Sequence, residues 1–393
     1  SEVREFRIRM GMELDLMNLW FGKTADYFKQ FISDQTIGMA RINRFDFTTL
    51  PINLLYLLYY EYRRNEKESL NFSFFEYGKN SNGNPDDDRW EMYLELQEMY
   101  AILQRWYNDK ELYHYLGFLF FNFKAQTPFR DIYTQWKALN SRDKFLKDIQ
   151  HTIATRMLDR YLEETEKAAP DYQKCLKTMT EAISDFRENW YNNDKELYQI
   201  LILLDIFRIL DSKSIKKLPT DYFTRKSGQK DGEDKEHILS QTPRKDNGEI
   251  ATIKTDWERF AQSEDFKDIR SQMQEILNHS DAELTEQELT QLQNLLNSAG
   301  LNSIGNMVLL DLRINRSYGN ADYAHKRTII FQEYMNQKYV RPHTLAVFMK
   351  GDIDAREATG IPLNRWTLED IKRNTDKIAK EIGKNLNAWL TQN

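Results

Sequence analysis

Apolar residues recur every three or four positions through the first 212 residues, as in WEMYLELQEMYAILQRWY, which begins at Trp90. That spacing puts apolar side chains on one face of an α-helix. Proline and glycine, which interrupt helices, are scarce inside these segments. The pattern therefore predicts a mainly α chain that begins with a helical domain over residues 1–212.

A short repeat lies within this helical region. WYNDKELYHYLGFLFF starts at Trp106, and WYNNDKELYQILILLDIF starts at Trp190. In both copies Asn and Asp suit the end of one helix and the start of the next, so Asp109 and Asp194 are candidate N-caps. The repeat is typical of a helical hairpin duplicated for packing, and we expect its aromatic residues to lie in the core.

The composition excludes several classes of protein. A net charge of -6 argues against a protein that coats nucleic acid, although a local basic groove is still allowed. The single cysteine, Cys175, excludes an intrachain disulfide and a cysteine-rich zinc site. Apolar runs such as INLLYLLYY are shorter than the ~20 residues that a membrane-spanning helix needs. We therefore expect a cytoplasmic protein that has no membrane segment.

The character of the sequence changes at residues 211–235, where lysine, proline and glycine interrupt the helical spacing. This change predicts a second domain over residues 213–393. EHIL and SIGNMVLLD are strand candidates, the sequence between them is helical in spacing, and NRSYGNADYAHKR leads from a loop into a helix. The order is strand, insertion, strand, loop, helix. The last segment, WTLEDIKRNTDKIAKEIGKNLNAWL, predicts a terminal helix with Thr367 as its cap.

Polar residues gather at the ends of these predicted elements. Glu236 and His237 lie at the first strand, and Asn306 precedes the second. Asn320 stands at the head of the following helix, and Lys326 lies farther along it. A ββα arrangement would bring these side chains together. Such a set suits phosphodiester hydrolysis, because a neutral imidazole can take a proton from water and oxygen donors suit Mg²⁺.

Three segments carry a resemblance to a known family. DKEHILSQTP, LNSIGNMVLLDLRIN and GNADYAHKR resemble the HNH (ββα-metal) nuclease domain of GmrSD-type modification-dependent restriction endonucleases. The resemblance covers about residues 225–390, and the motifs occur in order with compatible spacing. Ser240 stands where that family often has proline. The resemblance implies a helical domain followed by a second helical domain that contains a small HNH nuclease core.

The resemblance also implies roles for individual residues. His237 would be the general base, Asn306 would position it, and Lys326 would lie near a phosphate. Glu236 and Asn320 would bind Mg²⁺ or Mn²⁺. The basic residues expected to contact DNA are Lys226, Lys230, Arg244, Lys245 and Arg327. A flexible lysine-rich linker would explain the basic residues near the site equally well.

The expected function is a metal-dependent endonuclease that hydrolyses DNA, as the nuclease part of an antiphage restriction factor. DNA is the expected partner, and modified phage DNA is one candidate. Proteins of that family also carry an N-terminal nucleotide-binding domain with a D-G-Q-Q-R-type motif, which this sequence lacks. The resemblance implies such a domain in the same polypeptide if this chain is a fragment. A homodimer is one arrangement that would cut both strands.

Two alternatives stay open at this point. One is a helical scaffold that binds protein or DNA and has a degenerate nuclease domain. The other is an RNA-cleaving toxin, because HNH chemistry at the phosphate does not require a 2′-hydroxyl. His325, next to Lys326, is an alternative metal ligand, although it would point about 100° away from Lys326 around the helix. The other four histidines lack comparable polar neighbours in the sequence, and we expect structural or surface roles for them. They are His114, His151, His279 and His343.

Overall fold

The architecture is taken from a computed structural model. It describes residues 2–64, 70, 85–213, 216–225, 232–240, 242–243, 249–314, 322–350 and 364–392. Over these residues the chain is mainly helical, with one two-stranded sheet. The predicted mainly α fold is therefore confirmed. Within the same residues, no helix is long and apolar enough to cross a bilayer.

The chain divides into two compact units. The first is Ser1–Ile153 with Ile215–Phe223, and the second is Ala154–Ser214 with Thr224–Asn393. A compact unit need not be a domain that folds alone. The division into domains at residue 212 therefore stays a prediction.

The first unit is built from helices around an aromatic core. Its helices are α1 (Glu2–Phe28), α2 (Asp34–Ile42), α3 (Asn53–Arg63), α4 (Pro85–Asn108), α5 (Lys110–Asn122), α6 (Phe129–Leu139) and the start of α7 (Arg142–Leu158). Tyr27 stacks on Tyr113 with ring centroids 4.7 Å apart. Asp109 caps α5 by accepting hydrogen bonds from two main-chain N–H groups, as predicted. Trp106, from the first copy of the repeat, is fully buried, as expected of a core residue.

The second unit combines helices with two short strands. Its helices are α8 (Tyr172–Ser184), α9 (Asp194–Asp211), α10 (Lys254–Gln262), α11 (Arg270–Asn278), α12 (Glu286–Ser298), α13 (Tyr323–Met335), α14 (Pro342–Met349) and α15 (Leu368–Thr391). The strands are β1 (Glu233–His237) and β2 (Met307–Asp311). Helices α10 to α12 lie between the two strands in the sequence, which confirms the helical insertion. Thr367 caps α15, as predicted, in a capping box with Asp370.

Two helices begin at positions other than those predicted. Asp194 is the first residue of α9, and Asn193 is the capping residue before it. Helix α13 is capped by Asp322, which accepts a hydrogen bond of 2.8 Å from the N–H of His325. The helix therefore starts after Asn320, so placing Asn320 at its head was wrong. Asn320 itself lies outside the described residues.

Candidate active site

The two strands bring distant parts of the second unit together. β1 and β2 pair antiparallel, with Glu233 opposite Asp311 and His237 opposite Met307. His237 therefore lies at the end of β1, next to Asn306, which directly precedes β2. The carbonyl oxygen of Asn306 accepts a hydrogen bond of 2.9 Å from the N–H of Ile238. The ends of the two strands are thus fixed against each other at the candidate site.

Side chains of α14 complete the outer edge of β2. The N–H of Leu309 donates to Nε2 of His343 at 3.2 Å, and the hydroxyl of Thr344 donates to the carbonyl of Leu309 at 2.7 Å. Both of these side chains are buried. A two-stranded sheet has little stability of its own in water. The two side chains therefore supply bonds that a third strand would otherwise make.

A buried ionic network anchors the start of β1. Arg341 donates two hydrogen bonds of 2.7 Å to the carboxylate of Glu233 and one of 2.9 Å to Asp205. Asp205 also accepts from the main-chain N–H and Nδ1 of His343, each at 2.8 Å. Burial alone would raise the pKa of Asp205, but His343 and Arg341 hold that pKa below its usual range. Because Nε2 of His343 accepts from Leu309, Nδ1 carries the proton, and we assign His343 a structural role.

Asn306 holds the chain that leaves β1. Its Oδ1 accepts from the N–H of Leu239 at 2.8 Å, and its Nδ2 donates to the carbonyls of Leu239 and Leu301 at 3.0 and 2.9 Å. The side chain is fully buried. Two of these bonds go to main-chain groups of Leu239, two residues after His237, and the third goes to Leu301. Asn306 thus fixes the backbone beside the imidazole.

The glycine before Asn306 allows a close approach to α15. A Cβ atom on Gly305 would lie 2.2 Å from the carbonyl oxygen of Ile371 and 2.6 Å from the backbone nitrogen of Thr375. Backbone atoms at that distance cannot be moved by a side-chain rotation. The amide of Asn374 also donates to the carbonyl of Gly305 at 2.9 Å. The turn that presents Asn306 therefore depends on a residue without a side chain.

The imidazole of His237 lies between an amide and an aromatic ring. Its Nε2 is 2.9 Å from Oδ1 of Asn302, and Tyr191 stacks on it with ring centroids 4.7 Å apart. Nδ2 of Asn302 donates to Oδ1 of Asn297 at 2.6 Å, which assigns Oδ1 of Asn302 as the acceptor toward the imidazole. Nε2 of His237 then carries the proton, and Nδ1 of the neutral ring is its basic nitrogen. The residue is 8% exposed.

Lys326 joins α13 to the end of β1. Its ammonium lies 3.1 Å from Oε1 of Glu236 and donates to the carbonyl of His237 at 2.7 Å. The side chain of Lys326 is 1% exposed, and that of Glu236 is 22% exposed. Burial lowers the pKa of Lys326, and the carboxylate of Glu236 offsets only part of that shift. The structure places the ammonium of Lys326 next to the carboxylate of Glu236. A contact between Lys326 and a phosphate stays a prediction.

The predicted metal site is described only in part. Glu236, the predicted acidic ligand, is described, and Asn320 lies outside the described residues. Among the residues that the structure describes, no group of three or more His, Cys, Asp or Glu side chains could hold a metal ion. Mg²⁺ keeps several waters and often takes only one or two carboxylates from a protein. A carboxylate with an amide oxygen is therefore a donor set whose chemistry fits Mg²⁺.

Of the five residues predicted to contact DNA, Arg327 lies within the described part of the chain. Its Nε donates to the carbonyl of Phe348 at 2.8 Å, and its guanidinium lies 4.7 Å from the ring centroid of Phe331. These contacts hold the side chain against α13 and α14. The other predicted DNA contacts lie outside the described residues. They are Lys226, Lys230, Arg244 and Lys245.

Two side chains at the imidazole received no role from the sequence. Asn302 stands four residues before Asn306, inside the segment LNSIGNMVLLD that carried the resemblance. Tyr191 lies in the second copy of the repeat, which was expected to serve packing. The N–H of Trp190 donates to the carbonyl of Asn302 at 2.9 Å. The second copy of the repeat therefore reaches the imidazole, although its aromatic pair, which also occurs in the first copy, indicated only a packing role.

Comparisons with known proteins identify the family of the chain. The family described as GmrSD restriction endonucleases, C-terminal domain, matches residues 180–381, which is just over half of the chain. No curated protein and no solved structure matches the chain. The matched range contains both strands, the residues around the imidazole and the buried network of Arg341. The chain therefore belongs to the GmrSD restriction endonuclease family and carries its C-terminal domain.

Proposed function

We propose that this chain hydrolyses DNA phosphodiester bonds by HNH-type chemistry, with His237 as the general base. A restriction endonuclease domain acts on DNA, so membership of this family supports DNA as the substrate. The observation that carries the chemistry is the hydrogen bond of 2.9 Å between His237 and Asn302. It selects one tautomer of the imidazole at the end of a strand, beside a carboxylate.

The proposed step begins at Nδ1 of His237. This nitrogen accepts a proton from a water molecule, whose oxygen attacks the phosphorus. The bond between phosphorus and the leaving oxygen breaks, that oxygen keeps the electron pair, and it takes a proton from solvent. The hydrogen bond from Nε2 to Asn302 stabilises the positive charge that the imidazole acquires. Tyr191 covers one face of the ring and limits its rotation.

Mg²⁺ or Mn²⁺ is part of the proposal. Glu236, together with Asn320, would hold the ion, and the ion would supply positive charge to the phosphate when bound. Lys326 keeps Glu236 in place through the contact of 3.1 Å and keeps the end of β1 in place through the carbonyl of His237. Asn306 supports the same strand end through main-chain bonds. We therefore propose positioning roles for Lys326 and Asn306.

Restriction of phage DNA is the biological role that we propose. The family name supports cleavage of foreign DNA. Modified phage DNA as the target, a nucleotide-binding domain in the same polypeptide and a homodimer belong to this proposal. A cut in both strands by one site of this kind needs two copies or two events.

A scaffold with a degenerate nuclease domain is the competing function. Two observations favour it: His237 is only 8% exposed, and the described residues contain no cluster of three metal-binding side chains. Binding of Mn²⁺ separates the two functions. A folded protein without measurable affinity for Mn²⁺ would be a scaffold.

The direct test is cleavage of a supercoiled plasmid by the purified protein with Mg²⁺ or Mn²⁺. We expect nicking by the wild-type protein and none by His237→Ala. His279→Ala is the matched control, because His279 is exposed at the end of α11 and bonds only its own helix carbonyl at Glu275. Undiminished nicking by a folded His237→Ala protein would remove His237 as the base. Circular dichroism checks that both variants are folded.

A further inference from the structure

A basic pocket lies in the first unit, formed by residues of this unit alone. It has a volume of about 650 Å³ and is lined by the end of α2, the loop after it and the short turn at Lys124–Gln126. Its charged lining residues are Lys29, Asp34, Arg41, Arg44, Asp46 and Lys124. Four of these are cations and two are anions, so the lining has a net positive charge.

The two acids of the pocket are already engaged. Asp34 pairs with Lys124 at 2.6 Å. Asp46 accepts hydrogen bonds from the N–H and hydroxyl of Thr48 and the hydroxyl of Thr49, and these bonds lower the pKa of Asp46 to about 2. Both carboxylates therefore stabilise the pocket wall or its turn. They do not neutralise the two arginines.

Arg41 and Arg44 are the cations that the pocket leaves available. Neither makes an ion pair with any residue that the structure describes, and both are exposed. Lys29, by contrast, pairs with Asp26 at 2.5 Å. Two arginines thus line the pocket without a carboxylate partner among the described residues.

The backbone of Arg44 is unusual for an arginine. Its φ is +61°, in the left-handed region that favours glycine. The N–H of Phe45 bonds the carbonyl of Ala40 at 2.9 Å, which closes the end of α2 around Arg44. The helix dipole explains a cation at Arg41 in the last turn of α2. The helix dipole does not explain why arginine occupies position 44, where the positive φ costs glycine less than any residue with a side chain.

We infer that this pocket binds a phosphate group, carried by DNA or by a free nucleotide, through Arg41 and Arg44. The guanidinium fork matches phosphate oxygens and binds two of them at once. The volume falls within the range of small-ligand sites. The positive φ of Arg44 is then accounted for, because that position adds a second arginine to the lining of the pocket. The inference does not depend on nuclease activity or on His237.

Arg44→Gly is the decisive variant. It removes the guanidinium and gives the backbone the residue that adopts a positive φ most easily, so the fold is kept. We expect thermal stability equal to or above that of the wild-type protein, with binding of the phosphate ligand weakened about tenfold or more. Arg41→Gln should weaken binding in the same way. Arg259→Gln on α10 is the control, because Arg259 is 82% exposed and the change in charge is the same.

The probes are a fluorescein-labelled DNA duplex, ATP and inorganic phosphate, each titrated at low and high salt. Tighter binding of the duplex than of ATP, lost in Arg44→Gly, assigns the pocket to DNA; the reverse order assigns it to a nucleotide. Binding through phosphate should weaken as salt rises. The inference is overturned if no probe binds, or if Arg44→Gly and Arg41→Gln bind every probe as the wild-type protein does.

Discussion

Oδ1 of Asn302 accepts a hydrogen bond from Nε2 of His237 at 2.9 Å, and the amide of Asn302 is itself held by Asn297. The same amide therefore selects the tautomer of the imidazole and fixes its orientation. Asn306 was expected to position the base, and it bonds main-chain atoms two residues away instead of the ring. Positioning is thus shared: Asn306 holds the strand end, and Asn302 holds the imidazole.

Asn302→Asp should shift the pH dependence of cleavage. A carboxylate beside Nε2 favours the protonated imidazole, and only the neutral ring can accept a proton from water. The acidic limb of the pH–rate profile should therefore move to higher pH, whereas Asn302→Leu should lower kcat about tenfold to a hundredfold at every pH. Nitrogen NMR of the imidazole reports the tautomer independently of activity. An unchanged tautomer in Asn302→Leu would contradict the assigned contact.

Asn306→Ala should destabilise the second unit. The change leaves the N–H and carbonyl of Leu239 and the carbonyl of Leu301 without their buried partner. We expect a loss of about 2–4 kcal/mol in the free energy of unfolding, measured by urea denaturation. Asn385→Ala is the control, because its amide bonds only the carbonyl of Glu381 in its own helix. Equal losses for the two variants would refute this role of Asn306.

Glu236→Gln should weaken metal binding. Glutamine keeps an oxygen that can accept from Lys326, but it removes the negative charge that a divalent ion needs. We expect the affinity for Mn²⁺ to fall at least about tenfold, measured by calorimetry, with plasmid nicking lost in parallel. Glu258→Gln on α10, at an exposed position, should change neither quantity. Retained affinity in Glu236→Gln would place the metal elsewhere.

Gly305→Ala should disrupt the packing of the turn before β2. The added methyl would lie 2.2 Å from the carbonyl oxygen of Ile371, so the turn or α15 must shift. We expect a destabilisation of about 1–3 kcal/mol or more, seen as a lower midpoint in thermal unfolding. Gly38→Ala in α2 meets nothing within 4 Å and should stabilise its helix by up to about 1 kcal/mol. Opposite signs for the two substitutions are the expected result.

Asp205→Asn should change how stability depends on pH. His343 and Arg341 hold the pKa of Asp205 below its usual range even though burial opposes this, so folding favours the ionised carboxylate. That stabilisation is present above the unfolded pKa of about 3.9 and is lost as the pH falls through the folded value. We expect Asp205→Asn to be less stable at neutral pH by about 3–5 kcal/mol and to lose this part of the acid dependence. Urea denaturation at several pH values measures the stability at neutral pH and its dependence on acid. Stability that changes with pH in the same way in the variant and the wild-type protein would contradict this role of Asp205.

Local patterns predicted the elements of the second unit well. A capping signature located the start of α15 at Thr367, and SIGNMVLLD contains all of β2. EHIL shares only its first two residues with β1, which begins earlier, at Glu233. These features depend on residues close together in the sequence. The start of α13 was missed because Asp322 and Asn320 are both good capping residues, and only the folded chain selects between them.

The distant contacts of Asn302 and of Arg341 were not readable from spacing. Asn302 and His237 are 65 positions apart, and Arg341 and Glu233 are 108 apart. Nothing in a single sequence marks an asparagine as the partner of an imidazole rather than a turn residue. The same holds for His343, whose burial beside Asp205 arises only when α9 and α14 pack together.

The separation between Glu233 and Arg341 bears on how the enzyme is made in a cell. A nascent chain is synthesised at about 5–20 residues per second. Arg341, which pairs with Glu233 in β1, is therefore added only after another 108 residues have been synthesised. During that interval β1 lacks both its ionic anchor and, at first, its partner strand. The buried anchor of β1 therefore forms only after Arg341, and with it most of the second unit, has been synthesised.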